Sequence, residues 1–349
     1  MDNTKVAFIT IALISLAYIT RVKSSTPAAP PCNFPAIYNF GDSNSDTGAM
    51  SAAFWPIPPP YGVNYFGKPA GRNSDGRLII DFIDSIGANF RHGANFATTG
   101  STIRTHNESI FDNGLSPELY HQGNKSVGKK LPRPQDFSKS LYTFDIGQND
   151  IIAGFKSLTV ARLQVLIPEL VNQLGSTVTR LYEQGARAFW IHNIGPIGCL
   201  PLASMYFKNL NVNKYGCIRS HNAMANEFNR QLKAKVTTLR AELPRAALTY
   251  VDIYSAKYQL IRNSRLYGFE RPMKICCGHH KNNVHVGCGQ RMMINGSDVF
   301  GSACGSPMTC ISWDGVHYSQ AANQWVANQI LNGSFSDPPV QISSACLKH

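Results

Sequence analysis

The sequence predicts an α/β domain in which a mostly parallel sheet is covered by helices on both faces. Three observations lead there. Short apolar runs rich in β-branched and aromatic residues recur along the chain, helix-length amphipathic segments separate them, and polar strings containing glycine follow the runs directly. Alternating strands and helices are the pattern of parallel sheets. In open sheets of this kind ligands bind outside the carboxyl ends of the strands, so the residues just after each apolar run are where chemistry is sought.

The elements follow in order. Lys5 precedes an apolar run from Val6 to Ile19 that gives way to Thr20 and Arg21. A membrane-spanning helix needs about 20 apolar residues, so this shorter run reads as a secretory signal peptide, residues 1–25, with cleavage placed between Val22 and Ala29. No second run of that kind occurs, and no permanent membrane span is expected. "PAIYNF" is the first strand; "SLYTFDIG", "ARAFWIHNIG" and "ALTYVDIY" are later ones. Leu163, Leu166, Ile167, Leu170, Val171, Leu174, Val178 and Leu181 fall on one helical face, with Pro168 a candidate kink. Met224, Phe228, Leu232, Val236 and Leu239 form a second such face, and Ala322, Trp325, Val326 and Ile330, after Ser319, a third. No repeat or low-complexity linker divides residues 26–349, which read as a single domain with a Cys-rich insertion around 272–310.

Composition narrows the class. Hydrophobic residues make up 43% of the 349 and charged ones 15%, a globular balance. The formal charge is +12, or about +10 once Lys5, Arg21, Lys23 and Asp2 leave with the signal peptide. No run of five Lys/Arg and no basic stripe interleaved with aromatics occurs, so nucleic acid is not the expected partner. For a secreted chain, an anionic cell-wall polysaccharide is. The nine cysteines, Cys32, Cys199, Cys217, Cys276, Cys277, Cys288, Cys304, Cys310 and Cys346, read as disulfides in an oxidising compartment, with one left over. "CCGHHKNNVHVGC" also offers His279, His280 and His285 as zinc ligands, but its spacing fits no usual zinc pattern and no metal is expected. N-x-S sequons at Asn107, Asn124, Asn295 and Asn332 mark candidate glycosylation sites on exposed loops.

Ser43 follows the first strand in "NFGDSNSDTG". A serine hydroxyl attacks a carbonyl only when a base removes its proton and a third group holds that base in the right tautomer. "SWDGVHYS" supplies such a pair, Asp314 and His317, three residues apart before the last helix. The order Ser, Asp, His matches that of α/β-hydrolases, but their G-x-S-x-G elbow is absent.

Four strings in one order, "FGDSNSDTG", "HGANFATTG", "FDIGQND" and "WDGVHYS", resemble the sequence blocks of the GDSL, or SGNH, esterase/lipase family, in its plant acetylesterase and early-nodulin-like branch. The resemblance covers nearly the whole chain after the signal peptide. It implies a flavodoxin-like three-layer α/β/α sandwich and a carboxylic ester hydrolase that needs no cofactor. By the same resemblance Ser43 is the nucleophile, His317 the general base and Asp314 its orienting carboxylate. The oxyanion hole is then formed by the Ser43 backbone N–H, a glycine that matches Gly100 with Gly93 as a rival, and the Asn149 side chain. The expected substrate is a short-chain or acetyl ester, free or linked to a polysaccharide, or a lipid.

The chain departs from the family pattern twice. Asn44 stands where the family label has leucine, and the stretch between Ile83 and Gly93 is shorter by about fifteen residues than a usual βα unit. The second departure opens an alternative, a catalytically silent secreted binding protein on the same fold. A glycosidase, a label attached to some family members, ranks last because no acid–nucleophile carboxylate pair stands out.

Overall fold

The computed structural model describes residues 31–83, 92–104, 134–206, 211–281 and 284–347. Five parallel strands, β1 (Ile37–Gly41), β2 (Gly93–Asn95), β3 (Leu141–Asp145), β4 (Ala188–His192) and β5 (Ala247–Val251), stand side by side in the order 2-1-3-4-5. This is the flavodoxin-like doubly wound order, whose direction of winding reverses between β1 and β3. Four hairpin strands follow in the Cys-rich region: β6 (His279–Lys281), β7 (Val284–Val286), β8 (Arg291–Ile294) and β9 (Ser297–Phe300). The last strand, β10 (Ser336–Asp337), closes the main sheet by pairing antiparallel with β5.

The period-2 alternation of the strands sorts their side chains onto two faces. Tyr38, Phe40, Tyr142, Phe144, Phe189, Ile191, Leu248 and Tyr250 point to one side. There they meet α1 (Gln148–Ser157), α2 (Val160–Glu183) and α3 (Arg219–Glu242). Ile37, Leu141, Ala188, Trp190 and Val251 point to the other, against α4 (Ile253–Arg262) and α5 (Gln320–Leu331). The three-layer sandwich is thus assembled from the stripes the sequence displays. In α2 the residues Leu163, Ile167, Leu170, Val171, Leu174 and Val178 are buried, Leu166 and Leu181 partly so, and the helix continues through the exposed Pro168 as one element. Thr159 and Ser319 cap α2 and α5 by accepting hydrogen bonds from backbone N–H groups three residues on.

The Cys-rich excursion carries its own small core of Cys276, Cys277, Cys288, Cys310 and Trp313, with Tyr61 against it. Disulfides join Cys276 to Cys304 and Cys277 to Cys288; Cys199–Cys217 and Cys32–Cys346 complete the set, leaving Cys310 buried as a thiol. Every cysteine of the candidate zinc string is therefore bonded to another cysteine, so none of these sulfurs offers a free thiolate to a metal. The β8–β9 hairpin turns on Asn295 and Gly296, both with positive φ (50° and 79°), the conformation that Asn-Gly adopts in two-residue hairpins. Asn295 and Asn332 are exposed, whereas Asn107, Asn124, residues 1–25 and residues 84–91 of the short stretch lie outside the described residues. No helix among the described residues is long and apolar enough to cross a membrane.

Candidate active site

Where β1 ends, the chain must turn sharply above the sheet without colliding with β3. Gly41 makes that possible: a Cβ there would lie 2.2 Å from Ser45 Oγ and 2.8 Å from the Asp145 carbonyl oxygen. The Asp42 N–H still reaches across to that carbonyl (3.2 Å), and the Asp42 carbonyl accepts from the N–H groups of Ser45 and Asp46, forming one helical turn. Ser43 rides on this turn at the β1/β3 switch point, where a doubly wound sheet places its ligand.

The loop before α5 brings the other two groups to it. His317 Nε2 lies 2.8 Å from Ser43 Oγ, and His317 Nδ1 lies 2.7 Å from Asp314 Oδ2. A carboxylate only accepts, so Nδ1 carries the proton and Nε2 is left as the acceptor facing the serine hydroxyl. Asp314 is itself held by four donors. Its Oδ1 takes the N–H groups of Val316 (2.9 Å) and His317 (2.8 Å), while its Oδ2 takes the imidazole and the Tyr61 hydroxyl (2.9 Å). The loop is fixed from outside as well: Trp313 N–H donates to the His317 carbonyl, and the Trp313 carbonyl accepts from Cys276 and Cys277 of the disulfide core.

Burial and charge act on these groups in opposite directions. Burial by itself pushes His317 towards its neutral form, but the Asp314 charge and hydrogen bond prevail and hold its pKa above the ordinary imidazole value. Burial pushes Asp314 up, and the imidazole with the backbone donors brings it below the usual carboxylate range. The Tyr61 phenol is raised by burial and by Asp314, and it stays protonated as a donor.

The expected oxyanion donors gather on the same rim. Asn149 is in the first turn of α1, and its Nδ2 donates one hydrogen to the Ser101 carbonyl (2.9 Å), leaving the other. Gly100 lies in the turn closed by the Ser101 N–H to the Thr98 carbonyl, with φ +87°. Among the described residues, neither the Gly100 nor the Ser43 backbone N–H is bonded to an acceptor. The rival glycine is elsewhere. Gly93 pairs with Ile37 at the amino end of β1, the far end of the strand from Ser43.

Two further carboxylates bind these loops together. Asp46, fully buried, accepts from the N–H groups of Gly48, Ala49, Met50 and Thr99 and from the Thr99 hydroxyl, joining the serine loop to the loop of Gly100. Asp150 accepts from the N–H groups of Ile103 and Arg104, joining that loop to α1. Asn95 adds a third tie, donating to the Ser45 carbonyl and the Thr47 hydroxyl. Capping-type spacing in "SDTG" was the only hint in sequence of the role of Asp46, and nothing in the local pattern singles out Tyr61.

Beneath the serine lies a buried cluster of titratable side chains, Asp42, Asp145, His192 and Lys257. Asp42 Oδ1 accepts from Asn44 twice, and burial together with the like charge of Asp145 raises the Asp42 pKa to about 7. Asp145 is pushed up by burial, yet His192 and the Lys257 ammonium bring it below its ordinary value. The closest His192–Asp145 approach is 3.9 Å, longer than a hydrogen bond. Lys257 stands 4.8 Å over the Tyr318 ring, and burial lowers its pKa.

Comparison with known proteins accords with this geometry. The GDSL-like lipase/acylhydrolase family matches residues 37–330. A GDSL esterase/lipase of Arabidopsis thaliana is 48% identical over 368 residues, covering 95% of each chain. An esterase of Hevea brasiliensis is 42% identical, covering 96% of this chain and 95% of its own. A protein of Arabidopsis thaliana named alpha-L-fucosidase 3 is 42% identical, with 92% and 96% covered. Matched by the family over most of its length and by relatives 42–48% identical over more than nine-tenths of the chain, the chain belongs to the plant GDSL esterase/lipases and is a carboxylic ester hydrolase.

Proposed function

We propose that this protein is a secreted serine esterase that cleaves short-chain or acetyl esters through a covalent acyl-enzyme. The observation that carries the reading is the unbroken chain of contacts Ser43–His317–Asp314, at 2.8 and 2.7 Å. The Ser43 hydroxyl loses its proton to His317 Nε2 as its oxygen attacks the ester carbonyl. Asp314, saturated by its other donors, keeps the imidazolium oriented and balances its charge. The carbonyl oxygen becomes an oxyanion facing the N–H groups of Ser43 and Gly100 and the remaining Asn149 hydrogen, each such donor stabilising the transition state by roughly 3 kcal/mol. Collapse of the tetrahedral adduct expels the alcohol, which takes the proton from His317. Water then enters, gives its proton to His317 and attacks the acyl-serine; the second collapse releases the acid and restores the hydroxyl.

Ester rather than glycoside cleavage fits the surroundings of the serine. The carboxylates near the serine other than Asp314, namely Asp42, Asp46 and Asp145, are all buried within or beneath the loop, where no sugar ring reaches them. Secretion with removal of residues 1–25 is supported by the four disulfides. Glycan attachment at Asn295 and Asn332 agrees with their exposure.

The test is hydrolysis of p-nitrophenyl esters of increasing chain length by the wild type and by Ser43→Ala. The expected result is a loss of kcat by about 10³ or more in the variant, with the highest kcat/KM on the shortest acyl chains. Equal rates for the two proteins would overturn the nucleophile assignment.

A further inference from the structure

A concavity of about 480 Å³ opens at the end of α4 remote from the triad, between the last turn of that helix, the Lys214–Tyr215 turn and the segment leading into the Cys-rich region. Four cations line it, Lys214, Arg262, Arg265 and Arg271, and among the described residues no acidic side chain does. Some cations elsewhere on the surface sit against carboxylates: Arg230 on Glu227, Lys233 and Arg240 on Asp337, Arg291 on Asp298. Among the described residues the four cations of the concavity have no ion pair. Glu270, next to Arg271 in sequence, turns instead to Lys274 (2.7 Å) and the Thr309 hydroxyl (2.8 Å).

The same wall holds unused hydrogen-bonding groups. The Ser264 hydroxyl, on a residue 6% exposed, and the Asn263 side-chain amide have no partner among the described residues, although both residues line the opening. At the end of α4 the Gln259 carbonyl accepts from the Asn263 N–H, and just beyond the helix the Asn263 and Ser264 carbonyls accept from Tyr267 and Phe269. The Lys214–Tyr215 turn is held in shape: Asn213 Oδ1 accepts from the N–H groups of Tyr215 and Cys217, and Cys217 is tied to Cys199. Arg262 and Lys214 lie close enough to the Tyr215 hydroxyl to lower its pKa. The opening is therefore preorganised, positive and edged with apolar surface from Leu266 and Met273.

We propose that this concavity binds a carboxylate-bearing saccharide, a uronate unit of an acidic polysaccharide, and so anchors the enzyme to an anionic polymer at a site apart from its triad. Guanidinium forks pair with carboxylates in two-point fashion. The Ser264 hydroxyl, the Asn263 amide and the Tyr215 ring supply what sugar hydroxyls and C–H faces require. A compact phosphate or sulfate would leave the hydroxyl, amide and apolar rim unused.

The experiment compares retention of the full secreted chain on immobilised polygalacturonate, across a sodium chloride series, with that of two variants. Arg262→Gln/Arg265→Gln/Arg271→Gln removes three cations of the concavity. Lys139→Gln/Arg162→Gln/Arg245→Gln removes three exposed cations elsewhere, so the two variants have equal net charge. Both are expected to hydrolyse p-nitrophenyl acetate at the wild-type rate, which reports an intact fold and keeps this test separate from that of the triad. The first variant is expected to bind polygalacturonate weaker by about tenfold or more, and the second within about twofold of wild type. Equal weakening of both variants, no retention of the wild type, or equal retention on fully methyl-esterified polymer would overturn the proposal. So would firmer retention on RNA or phosphatidylserine vesicles, or displacement by inorganic phosphate at ionic strengths where chloride has no effect.

Discussion

Four donors converge on the Asp314 carboxylate, two from its own turn, one from His317 and one from Tyr61 of a distant loop. A buried carboxylate so satisfied stays ionised, and its charge is what lifts the His317 pKa against the pull of burial. The sign of the pH dependence follows. In the proposed mechanism His317 must be neutral to accept the serine proton, so activity is expected to fall as pH drops through a pKa above the ordinary imidazole value of about 6.5. Asp314→Asn removes the charge that raises it. The variant is expected to lose about 10⁴ in kcat, because the imidazole no longer keeps its proton on Nδ1. The acid limb of what remains moves to lower pH. A kcat–pH profile of the two proteins checks both; an acid limb that stays in place would separate Asp314 from control of the base.

At the scale of elements, the sequence made the long pieces plain and hid the short ones. The four runs of strands β1, β3, β4 and β5 and the stripes of α2, α3 and α5 were legible because each buries enough side chains to impose a period. Strand β2 has three residues, Gly93, Ala94 and Asn95, and β10 has two, so neither leaves a pattern. Register with a neighbour defines them. The same holds at the site: Ser43, Asp314 and His317 stand out only through the ordered strings that contain them, whereas Tyr61, Asp46 and Lys257 are placed by contacts made only on folding. Gly93 illustrates what register demands. Its φ is +120°, and a Cβ there would fall 1.8 Å from the Ile37 carbonyl oxygen, so only glycine lets β2 close on β1. Gly93→Ala is expected to destabilise the fold by about 3 kcal/mol or more, combining backbone strain with a backbone clash. Gly185→Ala, at φ +109° with nothing within 4 Å of its Cβ, carries the strain alone and is expected to lose about 1 kcal/mol. Urea unfolding of both variants reads the difference, and equal losses would mean that β2 yields to accommodate the methyl group.

Over the whole molecule, the doubly wound order gathers widely separated groups at one place. The serine follows β1, Asn149 opens the helix after β3, and the Asp314–His317 turn arrives from the far end of the chain, clamped by the disulfide core of the 272–310 excursion. The basic concavity at the other end of α4 would then hold the enzyme on its polymer while the rim of the sheet cleaves esters. The central claim is that the assembled site activates one hydroxyl, and covalent labelling by a fluorophosphonate, mapped by peptide mass spectrometry, addresses it directly. The account predicts a single adduct on Ser43, forming faster as pH rises through the His317 pKa and absent from Ser43→Ala. Folded wild-type protein that takes up no label, or takes it at a different residue, would contradict it.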